Sequence, residues 1–151
     1  MHFNEPDDQR WPMFFHVGTD WLMTWQVLTD LRRDGKNAGL VPSPFYVDNY
    51  IVHFCLELFT KSLVDYSVPG FNPKEFSHRT LQYIQKYEFV SPIFAKVTSD
   101  ADLCALIREY QNTVDTRFGE TYVLGEKSDV DKMMSLVYEI RAEICTKTGL
   151  R

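Results

Sequence analysis

Apolar residues recur at helical spacing through four proline-free windows, 13–41, 45–68, 74–91 and 93–151. Proline breaks helix interiors because it lacks an N–H and clashes with the preceding turn, so these windows are the natural helix territories. The clearest pattern predicts a helix from about Tyr46 to Tyr66. Val47, Tyr50, Ile51, Phe54, Cys55, Leu58, Phe59, Ser62, Leu63 and Tyr66 follow the i, i+3, i+4 rule there. A strand cannot hold that period over so long a run, and this helix is expected to be the spine of the core. Phe54 and Leu58 count among its core positions, where truncation to alanine would cost roughly 2–5 kcal/mol.

The other windows read more briefly. A first helix is expected from about Asp20 to Arg33, with Thr19 as N-cap and Trp21, Trp25, Leu28 and Arg32 along one stripe. Leu22 and Leu31 flank that stripe, and Met13–Val17 would form a separate turn before it. After Val68-Pro69-Gly70 a shorter helix spans about Ser77 to Tyr87, with Leu81 and Ile84 inward, and Ser91-Pro92 caps a single turn through Phe94. Ser99-Asp100-Ala101-Asp102 reads as a capping box with Asp in the place of Glu. It opens a helix to about Arg117 whose stripe is Leu103, Leu106, Ile107, Tyr110 and Val114. Ser128-Asp129-Val130-Asp131 opens the last helix, which buries Val130, Met133, Met134, Val137, Ile140 and Ile144 and frays near Gly149. Five amphipathic helices with short connections and no strand pattern give an all-α fold class, an antiparallel (up-and-down) helical bundle.

At 151 residues the chain is expected to be one domain over 1–151, with 1–18 a partly irregular N-terminal segment. An aromatic share of 15% implies a core packed with large rings. The formal charge of -5 argues against whole-molecule attraction to nucleic acid or to an anionic membrane, so an anion site would have to be a local pocket. Cys55, Cys104 and Cys145 are odd in number, far apart and without a CxxC pair, which argues against both a disulfide framework and a zinc site. Asn4-Glu5-Pro6-Asp7-Asp8 is unlike a signal peptide, and no apolar run reaches the length of a membrane span. The expectation is a cytoplasmic protein away from the membrane, with no cofactor.

His53, Glu57 and Lys61 stand at i, i+4 and i+8 beside the apolar face of the second helix. They form either a solvated ion pair with a boundary histidine or an ionisable line facing a groove. His78-Arg79 would open the third helix, where first-turn N–H groups and a guanidinium could bind an anion. Arg117-Phe118-Gly119 suits a helix end, and Arg108 is a further basic candidate. Histidines at 2, 16, 53 and 78 do not make a metal site by spacing, and no phosphate loop, nucleophile elbow or metalloprotease motif is present.

The stretch from Tyr50 to Tyr87, YIVHFCLELFTKSLVDYSVPGFNPKEFSHRTLQYIQKY, resembles the HEPN (higher eukaryotes and prokaryotes nucleotide-binding) family. That family carries Glu and Lys four apart on its second helix, then a loop, a histidine opening a helix and a leucine soon after. Glu57, Lys61, His78 and Leu81 match these positions, and Arg117-Phe118-Gly119 resembles an Arg-Tyr-Pro or Arg-Tyr-Gly corner with Phe for Tyr. The resemblance covers about Asp20 to Thr146. It implies a helical, usually dimeric module that binds nucleotides, pairs with a small nucleotidyltransferase in toxin–antitoxin systems, or acts as a metal-independent ribonuclease. The ribonuclease members carry Arg and, four to six residues later, His near the last helices. Here His78 is the last histidine, and the one formal match, Arg10 to His16, precedes the first helix and spans Pro12.

The leading expectation is therefore a non-catalytic HEPN-like module that holds a nucleotide, RNA or related anion in a local pocket, or a protein partner. Glu57, Lys61, His78, Arg79, Arg108 and Arg117 are its candidate ligand-binding residues, with Glu57 within hydrogen-bonding reach of His78. The alternative is a dimerising interaction protein of a toxin–antitoxin pair. A homodimer is expected, because Trp11, Phe14 and Trp21 need burial somewhere.

Overall fold

A computed structural model describes residues 9–34, 44–115 and 127–150. Among them every regular element is helical: α1 (Trp11–Asp34), α2 (Pro44–Ser67), α3 (Thr80–Lys86), α4 (Pro92–Thr98), α5 (Ala101–Asp115) and α6 (Lys127–Thr148). A short 3₁₀ turn, Glu88–Val90, joins α3 to α4. The all-α class stands, with six α-helices where five were expected, because the turn capped by Ser91-Pro92 continues to Thr98 as α4. Ser91 Oγ accepts the N–H of Ile93 at 3.0 Å and Pro92 occupies the first turn, where its missing N–H does no harm.

Helix α1 departs most from expectation. It begins at Trp11, so Met13–Val17 and Gly18 belong to one continuous helix, and the segment up to residue 18 is helical from Trp11 onward. Thr19 is no N-cap; its hydroxyl donates to Phe15 O inside the helix. The cap comes from α2, where Asp65 Oδ2 accepts the N–H groups of Arg10 (2.6 Å) and Trp11 (2.7 Å), and Ser62 Oγ donates to Trp11 O. A carboxylate on a helix N-terminus satisfies orphan donors and complements the dipole. Gly18 sits mid-helix because a Cβ there would lie 3.0 Å from the Phe59 ring.

Helix α2 packs against α1, α3, α5 and α6, so it is buried on nearly every side. Ile51, Cys55, Phe59 and Leu63 face the core as expected, and Val52, Leu56 and Val64 on the adjacent face are equally buried. Phe54 and Leu58 are only half-buried, which corrects their ranking as core positions. The buried face of α6 (Val130, Met133, Met134, Val137, Ile140, Ile144) is the expected one. On α5, Leu106, Ile107 and Tyr110 are buried, but the cap is Asp100, whose carboxylate accepts the N–H of Leu103 at 3.0 Å, rather than Ser99. The side chains of Val47, Val114 and Ser128 lie outside the described residues.

The aromatic residues expected to need burial, Trp11, Phe14 and Trp21, are half-buried or buried within one chain. Phe14 is buried, Trp11 meets Tyr66 edge-on at 5.5 Å, and Trp21 stacks on Phe54 at 5.2 Å, all within one chain. Different residues of α1 are exposed: Met13, Val17, Met23 and Val27. Among the described residues no helix is long and apolar enough to cross a membrane, and all three cysteines are free.

Packing sets the expected stabilities. Phe59→Ala should cost about 3–5 kcal/mol through the cavity left in a fully buried site, and Leu58→Ala less. Gly18→Ala should cost about 1–3 kcal/mol by pressing on Phe59, despite the better helix propensity of alanine. Urea unfolding of the three variants measures this order, and a stabilised Gly18→Ala would contradict the packing.

Candidate functional site

His53, Glu57 and Lys61 project from one stripe of α2, and the stripe is buried rather than solvated: their side chains are 1%, 4% and 10% exposed. What covers them is the irregular segment between α2 and α3. That segment turns through 73–78, with Ser77 at φ 53°, a left-handed conformation that ends any helix there. The third helix consequently starts at Thr80 and not at Ser77, and spans seven residues. His78 therefore lies in the turn before it, and Arg79 takes the N-cap position.

The turn delivers His78 to α2. Its Nδ1 lies 2.9 Å from Glu57 Oε1 and 3.1 Å from Oε2, so the contact expected between the two side chains is direct. Lys61 Nζ donates to Glu57 Oε1 at 2.8 Å and to Ser77 O at 3.1 Å. His53 Nε2 stands 3.5 Å from Glu57 Oε2, an ion-pair separation, yet it is buried with no hydrogen-bond partner. Aromatic rings wall the cluster: Phe54 meets both His53 and His78 edge-on, and Lys61 Nζ lies 5.2 Å from the centre of the Tyr83 ring.

Burial alone would raise the pKa of Glu57. The His53 imidazole and the Lys61 ammonium outweigh it and hold the carboxyl down at about 2, from an ordinary 4.5. An ionised carboxylate only accepts, so the contact requires a proton on His78 Nδ1. Nε2 of the same ring is left for a ligand, and the His78 side chain is 40% exposed. Lys61 is spent on Glu57 and Ser77, so it positions the carboxylate instead of meeting a ligand. Cys55, two residues from Glu57 on α2, is held as the thiol, because burial pushes its pKa up to about 12.

Beside His78 opens a cleft of about 490 Å³ lined by Lys74, Glu75, Phe76, Ser77, Arg79 and Gln82. Glu75 is engaged by Lys86 and by Tyr87, which leaves Lys74 and Arg79 as the cations facing this space. Arg79 is exposed at the N-cap position of α3, its side chain making no capping bond. Arg108 is exposed on α5, and among the described residues it forms no bond with Glu57, Lys61 or His78. Arg117 lies outside the described residues. A larger hollow of about 620 Å³ between α4, α5 and α6 carries Asp100, Asp102, Glu109, Asp129 and Glu139 against Lys96 and Lys132, so it would repel an anion.

Sequence reasoning missed three participants. His53 belonged to the stripe but was not ranked with Glu57, although its position one turn earlier was the available signal. Lys74 and Gln82 carried no signal, since only the turn at 73–78 brings them beside Arg79.

The depressed Glu57 pKa has a definite sign. Its stabilising contribution is present above about 4.5, the unfolded value, and is lost as pH falls towards about 2. Glu57→Gln should remove about 3–5 kcal/mol at neutral pH, because it leaves Lys61 buried without a counter-charge. It should also flatten the acid limb of the stability curve in that window, which denaturant titrations at several pH values will measure.

Compared with protein-family models, with curated proteins and with solved structures, the chain finds no match in any of the three.

Proposed function

We propose that this chain is a non-catalytic, HEPN-like helical binding module, and that it holds a small phosphate-bearing anion, a nucleotide by class, at the turn between α2 and α3. One observation supports this reading above the others: Ser77 and Arg79, which flank the Glu57-anchored His78 in the chain, line a cleft together with Lys74 and Gln82. The cleft volume lies in the range of small-molecule sites. Arg79 would grip phosphate oxygens in a fork, Lys74 would add a point charge, and His78 would donate from Nε2 when protonated. Glu57 and Lys61 act behind them by fixing the ring. A local excess of cations serves in a protein whose net charge is -5.

A second reading has its own observation. Met13, Val17, Met23 and Val27 are 40–56% exposed along the outer side of α1. A second copy of the chain would cover them, as would a nucleotidyltransferase partner of a toxin–antitoxin pair, which the resemblance implies.

Titration with inorganic phosphate and a mononucleotide, followed by NMR, tests the first reading. Signals of His78 and Arg79 should move at millimolar ligand, and both responses should vanish in His78→Ala. No movement in the native chain would reduce the Glu57–His78 contact to a tie between α2 and the turn. For the second reading, sedimentation equilibrium should show a dimer at micromolar concentration that Val27→Glu dissociates.

A further inference from the structure

His53, Glu57 and His78 are far apart in the chain, yet one ligand atom from each lies within 4.8 Å of the other two. We propose that these three side chains bind a single divalent transition-metal ion of the zinc type, through His53 Nε2, Glu57 Oε2 and His78 Nδ1. The proposal is independent of the anion reading.

The geometry carries it. Bonds of about 2.0–2.1 Å from a tetrahedral ion place neighbouring ligand atoms roughly 3.3–3.4 Å apart. Here His53 Nε2 is 3.5 Å and His78 Nδ1 is 3.1 Å from Glu57 Oε2, so small side-chain rotations suffice. His53 Nε2 is the independent pointer: its side chain is 1% exposed, and it faces the carboxylate across 3.5 Å without meeting hydrogen-bond geometry. A buried ring nitrogen met only by so long a contact is costly unless something fills the gap.

The surroundings agree. Lys61 holds the other oxygen of Glu57, Oε1, as an outer hydrogen bond that directs Oε2 inward. Two imidazoles and one carboxylate suit a borderline ion, whereas magnesium and calcium require shells of oxygen. The bond needs Nδ1 free of its proton: in a neutral ring that proton moves to Nε2, and a doubly protonated ring gives one proton up to solvent. The fourth position opens on the exposed side of His78 and would take water or an anion. An anion is favoured, since Lys61 and the ion together outweigh the one charge of Glu57.

Cobalt(II) is the probe. The full chain is stripped with chelator, transferred to phosphate-free buffer and titrated, first with cobalt and then with zinc in competition. One equivalent should produce the intense visible bands of four-coordinate cobalt, and zinc should displace it. His78→Ala, its helical content checked by circular dichroism, should weaken binding at least about tenfold. His53→Gln should do the same if circular dichroism shows it folded, and His16→Ala, on the outside of α1, should not. Absence of the bands, or bands unchanged in His78→Ala, would overturn the site. The phosphate titration, run without metal, fails or succeeds separately.

Discussion

A carboxylate taken out of water must be met by positive charge or donors, and in this protein that requirement at Glu57 organises the middle of the fold. Lys61, one turn along α2, supplies the charge at 2.8 Å. One local partner does not satisfy two buried oxygens, so the chain between α2 and α3 is folded back to bring His78. The same segment offers Ser77 O to the Lys61 ammonium. Ser77 adopts a left-handed backbone at a cost of roughly 1–3 kcal/mol, and these two tethers on either side of it hold it there.

The high aromatic content acts around that cluster. Tyr83, buried on α3, donates its hydroxyl to Pro73 O and accepts the N–H of Phe76, so one phenol pins the turn at two points. Phe71 and Phe76 meet Tyr83 edge-on, and Lys61 lies over its face. Rings on this scale exclude water, which strengthens each charged contact and raises the penalty for leaving any of them unmade. The reactive atoms of the cluster are held by helix packing, while the residues that face solvent, Lys74, His78 and Arg79, sit on the turn itself. That division, a rigid shelf behind an adaptable rim, suits a binding site.

On the other side, α2 is clamped to α1 by two devices of different character. Gly18 lets the Phe59 ring approach the α1 backbone, and Asp65 closes the start of α1 across 54 residues of sequence. Both depend on the register between the two helices, so a shift that moved α2 along α1 would disturb the cap and the packing together. The stripe of His53, Glu57 and Lys61 therefore has a fixed place relative to the turn that covers it.

Much of the helical content was legible from the chain, because helices are held by local hydrogen bonds and their apolar spacing is written in consecutive residues. The buried face of α6, the cap at Ser91 and the Glu57–Lys61 pairing are all of this local kind. The Glu57–His78 contact was legible only through family likeness in the order of motifs. Periodicity says that a face is covered but not by what, and α2, covered on nearly all sides, blurs even the choice of face. Hence Phe54 and Leu58 were ranked above Val52 and Leu56, and the ionisable stripe could be read as solvated. The roles of Gly18 and Asp65 carried no signal in the chain, since their reasons lie on the neighbouring helix. The meeting of His53 with His78 was decided by tertiary structure alone: a turn of positive φ at Ser77, driven by a buried carboxylate, closes a distance that no local spacing encodes.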